Sequence, residues 1–530
     1  MIFAIISLIL YYLTFFCNFI LYYLAFMIQR IYWKKLSLRT ASATRVPLLL
    51  LGARGTGKQT LARQFSTLFS DLIWIDLETG PDSRIFTSGE NFDNTLKSIF
   101  FLKNKDLRHK RTLIFLHEIQ NCPEAMRWFN GSGQAGLPYH ILASSSLITS
   151  TLKSLMDDPG KKMDVLQVYP FTFEEFLQSV NDQAALEAYQ EVPVPVYAYE
   201  KLLHYFHIYT LIGGMPEINM IYAQDQHLNS LRPIYERLLK SMVADINRQT
   251  RGEKQRSVVK ETLLNSFPFA ATRIKFNRFG NSEYRTREMR EAFRRLEQQM
   301  LIHLIYPTTS TYYAPGTAAT GNGDPILQPG KKNQPENILE KIPGCAVQRL
   351  LIDQAKSPRL QLLDTGLVNY FSGIQKPLFQ SHDMNAIFEG QIARQVVGQE
   401  IVAAESLGGG DDIAGLTPEA AGKAADRQPG LHFWVRDKAQ STAEVDFIIP
   451  FNDLLIPVVV KSGEPGRLRS LHQFVDAAPH AFAVRLYAGK LGVQQAQTLS
   501  GKKFYLLNLP YFLAGKIKDH LKGFIRLTSG

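Results

Sequence analysis

The stretch Val46-Pro47-Leu48-Leu49-Leu50-Leu51-Gly52-Ala53-Arg54-Gly55-Thr56-Gly57-Lys58-Gln59-Thr60 decides the fold. Its first six residues are an apolar run suited to a buried strand, and Gln59 to Phe69 continues with helical periodicity. Between strand and helix, Gly52-Ala53-Arg54-Gly55-Thr56-Gly57-Lys58 has the spacing G-x-x-x-x-G-K. Glycines at such a turn let the backbone wrap a phosphate chain with its N–H groups inward. The helix N-terminus adds a favourable dipole, and the lysine reaches the β- and γ-phosphates. Gly52 to Lys58, with Gln59 and Thr60 behind them, are therefore the candidate nucleotide-binding residues.

Working outward, apolar runs recur at Leu72 to Leu77, Thr112 to Leu116, Tyr139 to Ala143 and Asp164 to Tyr169. Helix-like segments lie between them at Asn94 to Leu102 and Pro123 to Phe129. Strands alternating with crossover helices predict an α/β fold on a mostly parallel sheet, a P-loop core. The run Thr112 to Leu116 ends in His117-Glu118. An Asp-Glu pair is the usual chemistry there: Asp holds the magnesium-bound water and Glu polarises the attacking water. Glu118 is thus the candidate catalytic base, but His117 stands in the place of the Asp. Gln59 likewise occupies the position of the magnesium-binding Ser or Thr, and Thr60 comes one residue late. Imidazole and carboxamide are poor ligands for a hard cation that prefers carboxylate, hydroxyl and water oxygens. ATP is the expected cofactor, Mg²⁺ is expected with its usual contacts altered, and no residue is assigned as a metal ligand.

At 530 residues the chain is long enough for about three or four domains. Hydrophobic residues at 45% and charged residues at 20% exclude a largely disordered chain. Cys17, Cys122 and Cys345 form no CxxC pair, which argues against a disulfide framework or thiolate metal site and for a reducing compartment. The net charge of +11 keeps nucleic acid and anionic membrane among the expected partners, although the basic residues are spread along the chain. Residues Ile2 to Ile28 carry no charge and, as a helix at about 1.5 Å per residue, would cross a bilayer. Arg30, Lys34, Lys35 and Arg39 follow, so the positive-inside rule places the rest on the cytoplasmic side of the cell membrane. The other reading is a start at Met27, which makes the protein plainly cytoplasmic. Both stand at this point.

Further motifs are Phe115-Leu116-His117-Glu118-Ile119-Gln120 with Pro123-Glu124-Ala125, and Ala143-Ser144-Ser145-Ser146-Leu147 on a sensor-like strand. Tyr169-Pro170-Phe171-Thr172-Phe173-Glu174-Glu175-Phe176 and Gly213-Gly214-Met215-Pro216-Glu217 come next. Leu363-Asp364-Thr365-Gly366-Leu367, Glu444-Val445-Asp446-Phe447 and Val460-Lys461-Ser462-Gly463 complete the series. In this order they resemble the prokaryotic AAA-type ATP-binding proteins that end in a domain of unknown function related to PD-(D/E)xK nucleases. The likeness runs from about Ile28 to the C-terminus. It implies an ATPase core, a helical and winged-helix middle, and a nuclease-like C-terminal α/β domain.

On this reading residues 1–29 are the anchor, 30–180 the P-loop core, 181–250 a helical lid and 251–313 a winged-helix-like region. Residues 314–344 are a linker, and 345–530 the nuclease-like domain with a mobile insertion at 408–430. In the middle, Tyr199 to Ile212 and Leu228 to Ile246 are helical around the break at Gly213 to Pro216, and Arg285 to Gln299 is a charged helix before the strand-like Leu301 to Tyr306. Arg285, Arg287, Arg290, Arg294 and Arg295 either touch a phosphate backbone or form a solvated face balanced by Glu288, Glu291 and Glu297. Arg248 and Arg251 lie near the lid. In the C-terminal domain the resemblance implies a degenerate nuclease-like site of Glu400, Asp446 and Lys461, with Glu444 nearby. Val459 and Arg394 replace expected acids, so cutting is not expected. The resulting expectation is an ATP-binding AAA-type switch or interaction protein with weakened or absent hydrolysis. The alternative is an active ATPase coupled to nucleic-acid binding. Nucleotide, nucleic acid, the membrane and further copies of the chain are the expected partners.

Overall fold

The computed structural model describes residues 28–40, 45–78, 81–87, 91–109, 111–133, 137–158, 160, 163–312, 350, 352–375, 390–407, 431–437, 441–461 and 468–528. The apolar stretch of residues 2–27 and both expected linkers, 314–344 and 408–430, lie outside these. Among the described residues no helix is long and apolar enough to cross a membrane.

Five strands form the first sheet: β1 (Leu48–Leu51), β2 (Asp71–Asp76), β3 (Thr112–His117), β4 (His140–Ser145) and β5 (Asp164–Gln167). They run parallel in the order β2-β3-β4-β1-β5. Every residue of β1 and β3 is buried, as expected of parallel strands covered by helices on both faces. One helix layer holds Lys58–Ser66 and a helix not singled out within the expected core, Trp33–Thr40, with Tyr32 and Leu36 packed against Leu61 and Phe65. The expected α/β P-loop core is present, with its five strands where the apolar runs lie.

Helices Tyr199–Ile212, Pro216–Asp225 and Arg232–Gln249 form a cap, followed by Glu253–Ser266 and Thr286–Gln298. Strand β6 (Ile302–Ile305) pairs antiparallel with β8 (Arg359–Leu362). The second large sheet is mixed and contains β7 (Pro307–Thr308), β9 (His432–Val435), β10 (Glu444–Phe451), β11 (Leu454–Val460), β12 (Phe482–Tyr487), β13 (Gly492–Gln497) and β14 (Lys503–Pro510). Its order is β13-β14-β12-β11-β10-β9-β7. A single apolar core runs from the first sheet through the cap to this sheet.

Three of the sequence motifs, those of Tyr169–Phe176, Gly213–Glu217 and Leu363–Leu367, meet at one joint between the cap and the C-terminal unit. Gly213 has φ +77, and a Cβ there would lie 2.3 Å from the Asp364 carboxylate. Gly214 donates its N–H to Asp364 (2.6 Å) and accepts from the Phe171 N–H (2.6 Å). Gln399 accepts from the Thr365 N–H (2.9 Å) and donates to the Tyr209 hydroxyl (2.9 Å). Glu400 accepts from that hydroxyl (2.6 Å) and from the Phe173 N–H (3.1 Å). Burial pushes the Glu400 carboxyl up to about 8 and the Asp364 carboxyl up to about 6.

Candidate functional site

The phosphate loop leaves β1 at Gly52, and helix Lys58–Ser66 begins behind Gly57, whose φ of +88 is costly for any residue with a side chain. Lys58 is buried, and its ammonium donates to the carbonyls of Gly52 (2.7 Å) and Ala53 (3.0 Å). Burial lowers its pKa, opposed by Glu118, whose Oε1 lies 3.9 Å away. The loop therefore holds its own lysine folded back upon it.

Gln59 Nε2 lies 2.6 Å from His117 Nε2, so the two residues that replace the usual magnesium contacts bond to each other. His117 Nδ1 lies 3.1 Å from Ser144 Oγ, which also accepts the Glu118 N–H (3.2 Å). A neutral imidazole with its proton on Nδ1 satisfies both contacts, and burial lowers the His117 pKa in favour of that form. Thr60, one residue further along the helix, is turned by about 100° from Gln59. These residues do not fit Mg²⁺: the pair offers neither carboxylate nor hydroxyl. Among the described residues no three His, Cys, Asp or Glu gather where they would hold a metal ion.

Glu118 follows β3 at φ +52 and is almost wholly buried. Its Oε2 accepts from Gln120 (2.5 Å) and from the Ser146 hydroxyl. Burial alone would raise its pKa, but Lys58 and these two donors hold it below the ordinary carboxylate value. It is an anchored carboxylate.

The cap closes over the loop. A Cβ on Gly55 would lie 2.9 Å from the Met215 methyl and 3.0 Å from Leu238. Arg54 donates to Glu78 (2.7 Å) and to Asp245 (2.7 Å) of helix Arg232–Gln249. Burial opposes the Arg54 charge, yet these two carboxylates hold its pKa above the ordinary value. Arg248 binds the same two acids, so loop, sheet and cap share one ring of charges. Arg251 is exposed.

Residue types alone singled out the loop, Gln59, His117 and Glu118 as candidates, but not Glu78 or Asp245, and gave Arg30 no place beside the loop. Arg30, read as a basic flank of an anchor, is a core residue with 3% exposure, ion-paired to the buried Glu175 at 2.6 Å. Arg39 is likewise engaged, with Asp164 (2.5 Å).

Residues 44–177 match the family model described as an AAA domain. Over that stretch the chain is similar to AAA domains. Residues 389–512 match the model of a domain of unknown function, DUF4143. No curated protein matches the chain. Among 38 matching chains of solved structure is the Walker-type ATPase PABY2304 of Pyrococcus abyssi, 16% identical, covering 51% of this chain and 89% of that one, with a TM-score of 0.33. Another is C. elegans PCH-2, 19% identical over 29% of this chain and 46% of that one, with a TM-score of 0.20.

Outside the stretch that matches the AAA model, the three residues of the expected nuclease-like site do not come together. Asp446 lies on β10, accepting the Val460 N–H at 2.8 Å, and Lys461 follows β11 beside it. Glu400 instead faces Tyr209 and Phe173 in the joint described above. Helical geometry explains the difference: Arg394 and Glu400 share helix Gln391–Leu407 but are about 9 Å apart along its axis. Arg394 is the one that reaches Asp446, at 3.8 Å. The fully buried Arg359 donates to the Asp446 carbonyl (2.5 Å) and to Glu444, with Phe433 and Phe447 against its guanidinium. Arginines thus occupy the neighbourhood of these acids. In helix Thr286–Gln298, Arg294 and Arg295 pair with Glu291, and Glu288 pairs with Lys254, as on a balanced solvated face.

Proposed function

We propose that the chain binds ATP through its AAA domain, hydrolyses it slowly or not at all, and acts as a nucleotide-dependent switch or interaction protein. The hydrogen bond between Gln59 and His117 carries this reading. Two separate losses would leave two unsatisfied polar side chains, whereas these two residues satisfy each other. Bound ATP would be held by N–H groups of the Gly52 to Lys58 loop other than those of Gly52 and Thr56, which donate to the Ser145 and Ala53 carbonyls, and by the Lys58 ammonium once it leaves its own loop. Contacts that neutralise developing phosphate charge are worth roughly several kcal/mol in a transition state, so their loss slows turnover far more than binding.

The joint supports the switch part of the proposal. Phe171 lies two residues beyond Tyr169, which is tied to the phosphate loop through Arg30, and its N–H bonds to Gly214 beside Asp364. Loop and C-terminal unit are therefore connected through short, buried hydrogen bonds. The C-terminal unit, with guanidinium groups beside Asp446 and Glu444, is better suited to an interaction or nucleic-acid-docking role than to cutting.

Phosphate release in the presence of ATP and Mg²⁺, compared between the unaltered chain and Glu118→Gln, tests the proposal. Indistinguishable slow rates are expected, because Glu118 is held by Lys58, Gln120 and Ser146. Brisk magnesium-dependent turnover that Glu118→Gln abolishes would contradict it.

A further inference from the structure

Arg30 lies ahead of β1, outside the phosphate-loop motif, yet it reaches into the loop. Its guanidinium uses each nitrogen on a different element. Nε donates to Glu175 Oε1 (2.6 Å), Nη2 to the Tyr169 carbonyl (2.7 Å) and Nη1 to the Thr56 carbonyl (2.6 Å). The rings of Phe171 and Tyr32 lie 5.0 and 5.2 Å from its central carbon. Glu175 is itself fixed, accepting also the N–H groups of Ile31 (3.0 Å) and Thr172 (2.9 Å).

The third arm matters because of peptide geometry. In a planar trans peptide the C=O and the following N–H point in opposite directions. Holding the Thr56 carbonyl outward turns the Gly57 N–H inward, where the loop presents donors to phosphate. Gly57 is also a residue whose backbone has many accessible conformations when nothing holds it. An ion pair to Glu175 alone needs no fork; a lysine would serve. The planar guanidinium is what lets one side chain hold Glu175, Tyr169 and Thr56 at once.

We propose that Arg30 is a positioning residue for the polyphosphate of the bound nucleotide, fixing the Thr56–Gly57 peptide so that its N–H faces the ligand. This rests on the ATP-binding reading above. It makes the segment before β1 part of the nucleotide site.

Isothermal titration of the full chain with ATP and, separately, with inorganic tripolyphosphate tests the proposal, each variant being checked by thermal unfolding. Arg30→Lys keeps the charge opposite Glu175 but loses the bond to Thr56, and is expected to weaken both ligands by the same factor, roughly tenfold. The double variant Arg30→Leu with Glu175→Leu removes both buried charges together, so that neither is left unpaired; it is expected to show the same loss of affinity, with a lower unfolding midpoint because the Ile31 and Thr172 N–H groups lose their acceptor. Leu36→Ala opens a cavity in the same segment without touching the loop; it should lower the unfolding midpoint and leave both affinities within threefold.

Unchanged affinities in the two Arg30 variants would overturn the proposal while leaving ATP binding intact. A loss confined to ATP, sparing tripolyphosphate, would also overturn it, as would an equal loss in Leu36→Ala. No binding of ATP by the unaltered chain would overturn the functional reading itself, and this inference with it.

Discussion

Replacing Lys58 with Ala is expected to weaken ATP binding by roughly 100-fold while leaving the fold intact. A charge-assisted hydrogen bond contributes about 1.5–3 kcal/mol, and each 1.4 kcal/mol is a factor of ten in affinity, so loss of contacts to two phosphates is worth at least about 3 kcal/mol. The variant should still fold, with a lower unfolding midpoint because Glu118 loses the counter-charge at 3.9 Å. Ala53, one of the carbonyls that Lys58 binds, also accepts from the Thr56 hydroxyl at 3.0 Å. Glu118 keeps Gln120 and Ser146. Isothermal titration reads the affinity and thermal unfolding the fold. An affinity within threefold of the unaltered chain would place the nucleotide somewhere other than this loop.

The second large effect is on stability, at Arg359→Leu. Arg359 is 1% exposed and serves the Asp446 carbonyl and the Glu444 carboxylate while filling the space between two phenylalanine rings. Removing one partner of a buried ion pair costs about 3–5 kcal/mol because the other charge stays behind. Glu444 is 28% exposed and is also approached by Arg273 at 3.8 Å, so the lower end of that range applies. At about 2–4 °C per kcal/mol, the unfolding midpoint should fall by roughly 6–12 °C. Glu444→Gln, which leaves Arg359 its carbonyl and its rings, should cost less than half as much. Equal losses in both variants would mean that the ion pair alone matters and the packing does not.

The readings that local chemistry settles were legible in the sequence. Leu48 to Leu51 and Thr112 to Leu116 are uninterrupted apolar runs because both faces of a parallel sheet are covered, and the breaks between them carry the turn residues. Gln59 and His117 were legible one at a time, as residue types that bind magnesium poorly. Their mutual hydrogen bond was not, because 58 positions separate them and only the sheet brings them within 2.6 Å. Glu400 was misread because a carboxylate near an acidic motif invites a metal role. What decides its role is the side of the helix it occupies, and that side faces Tyr209 in a buried joint. Arg30 was misread for a similar reason. A cation beside an apolar stretch looks like a membrane flank until its partners, Glu175 and the carbonyls of Thr56 and Tyr169, are known. Asp364 and Gly213 each stand in a recognisable motif, but their contact spans about 150 positions, which no local pattern encodes.

On the proposed reading, this nucleotide cradle has exchanged its magnesium chemistry for a protein-only pair, Gln59 and His117. Titrating the full chain with ATP in excess Mg²⁺, and again in excess EDTA, measures that directly. Affinities that agree within about threefold are expected, since 1.4 kcal/mol corresponds to tenfold and neither Gln59 nor His117 is suited to a metal contact worth that much. An affinity that falls tenfold or more when magnesium is removed would contradict it.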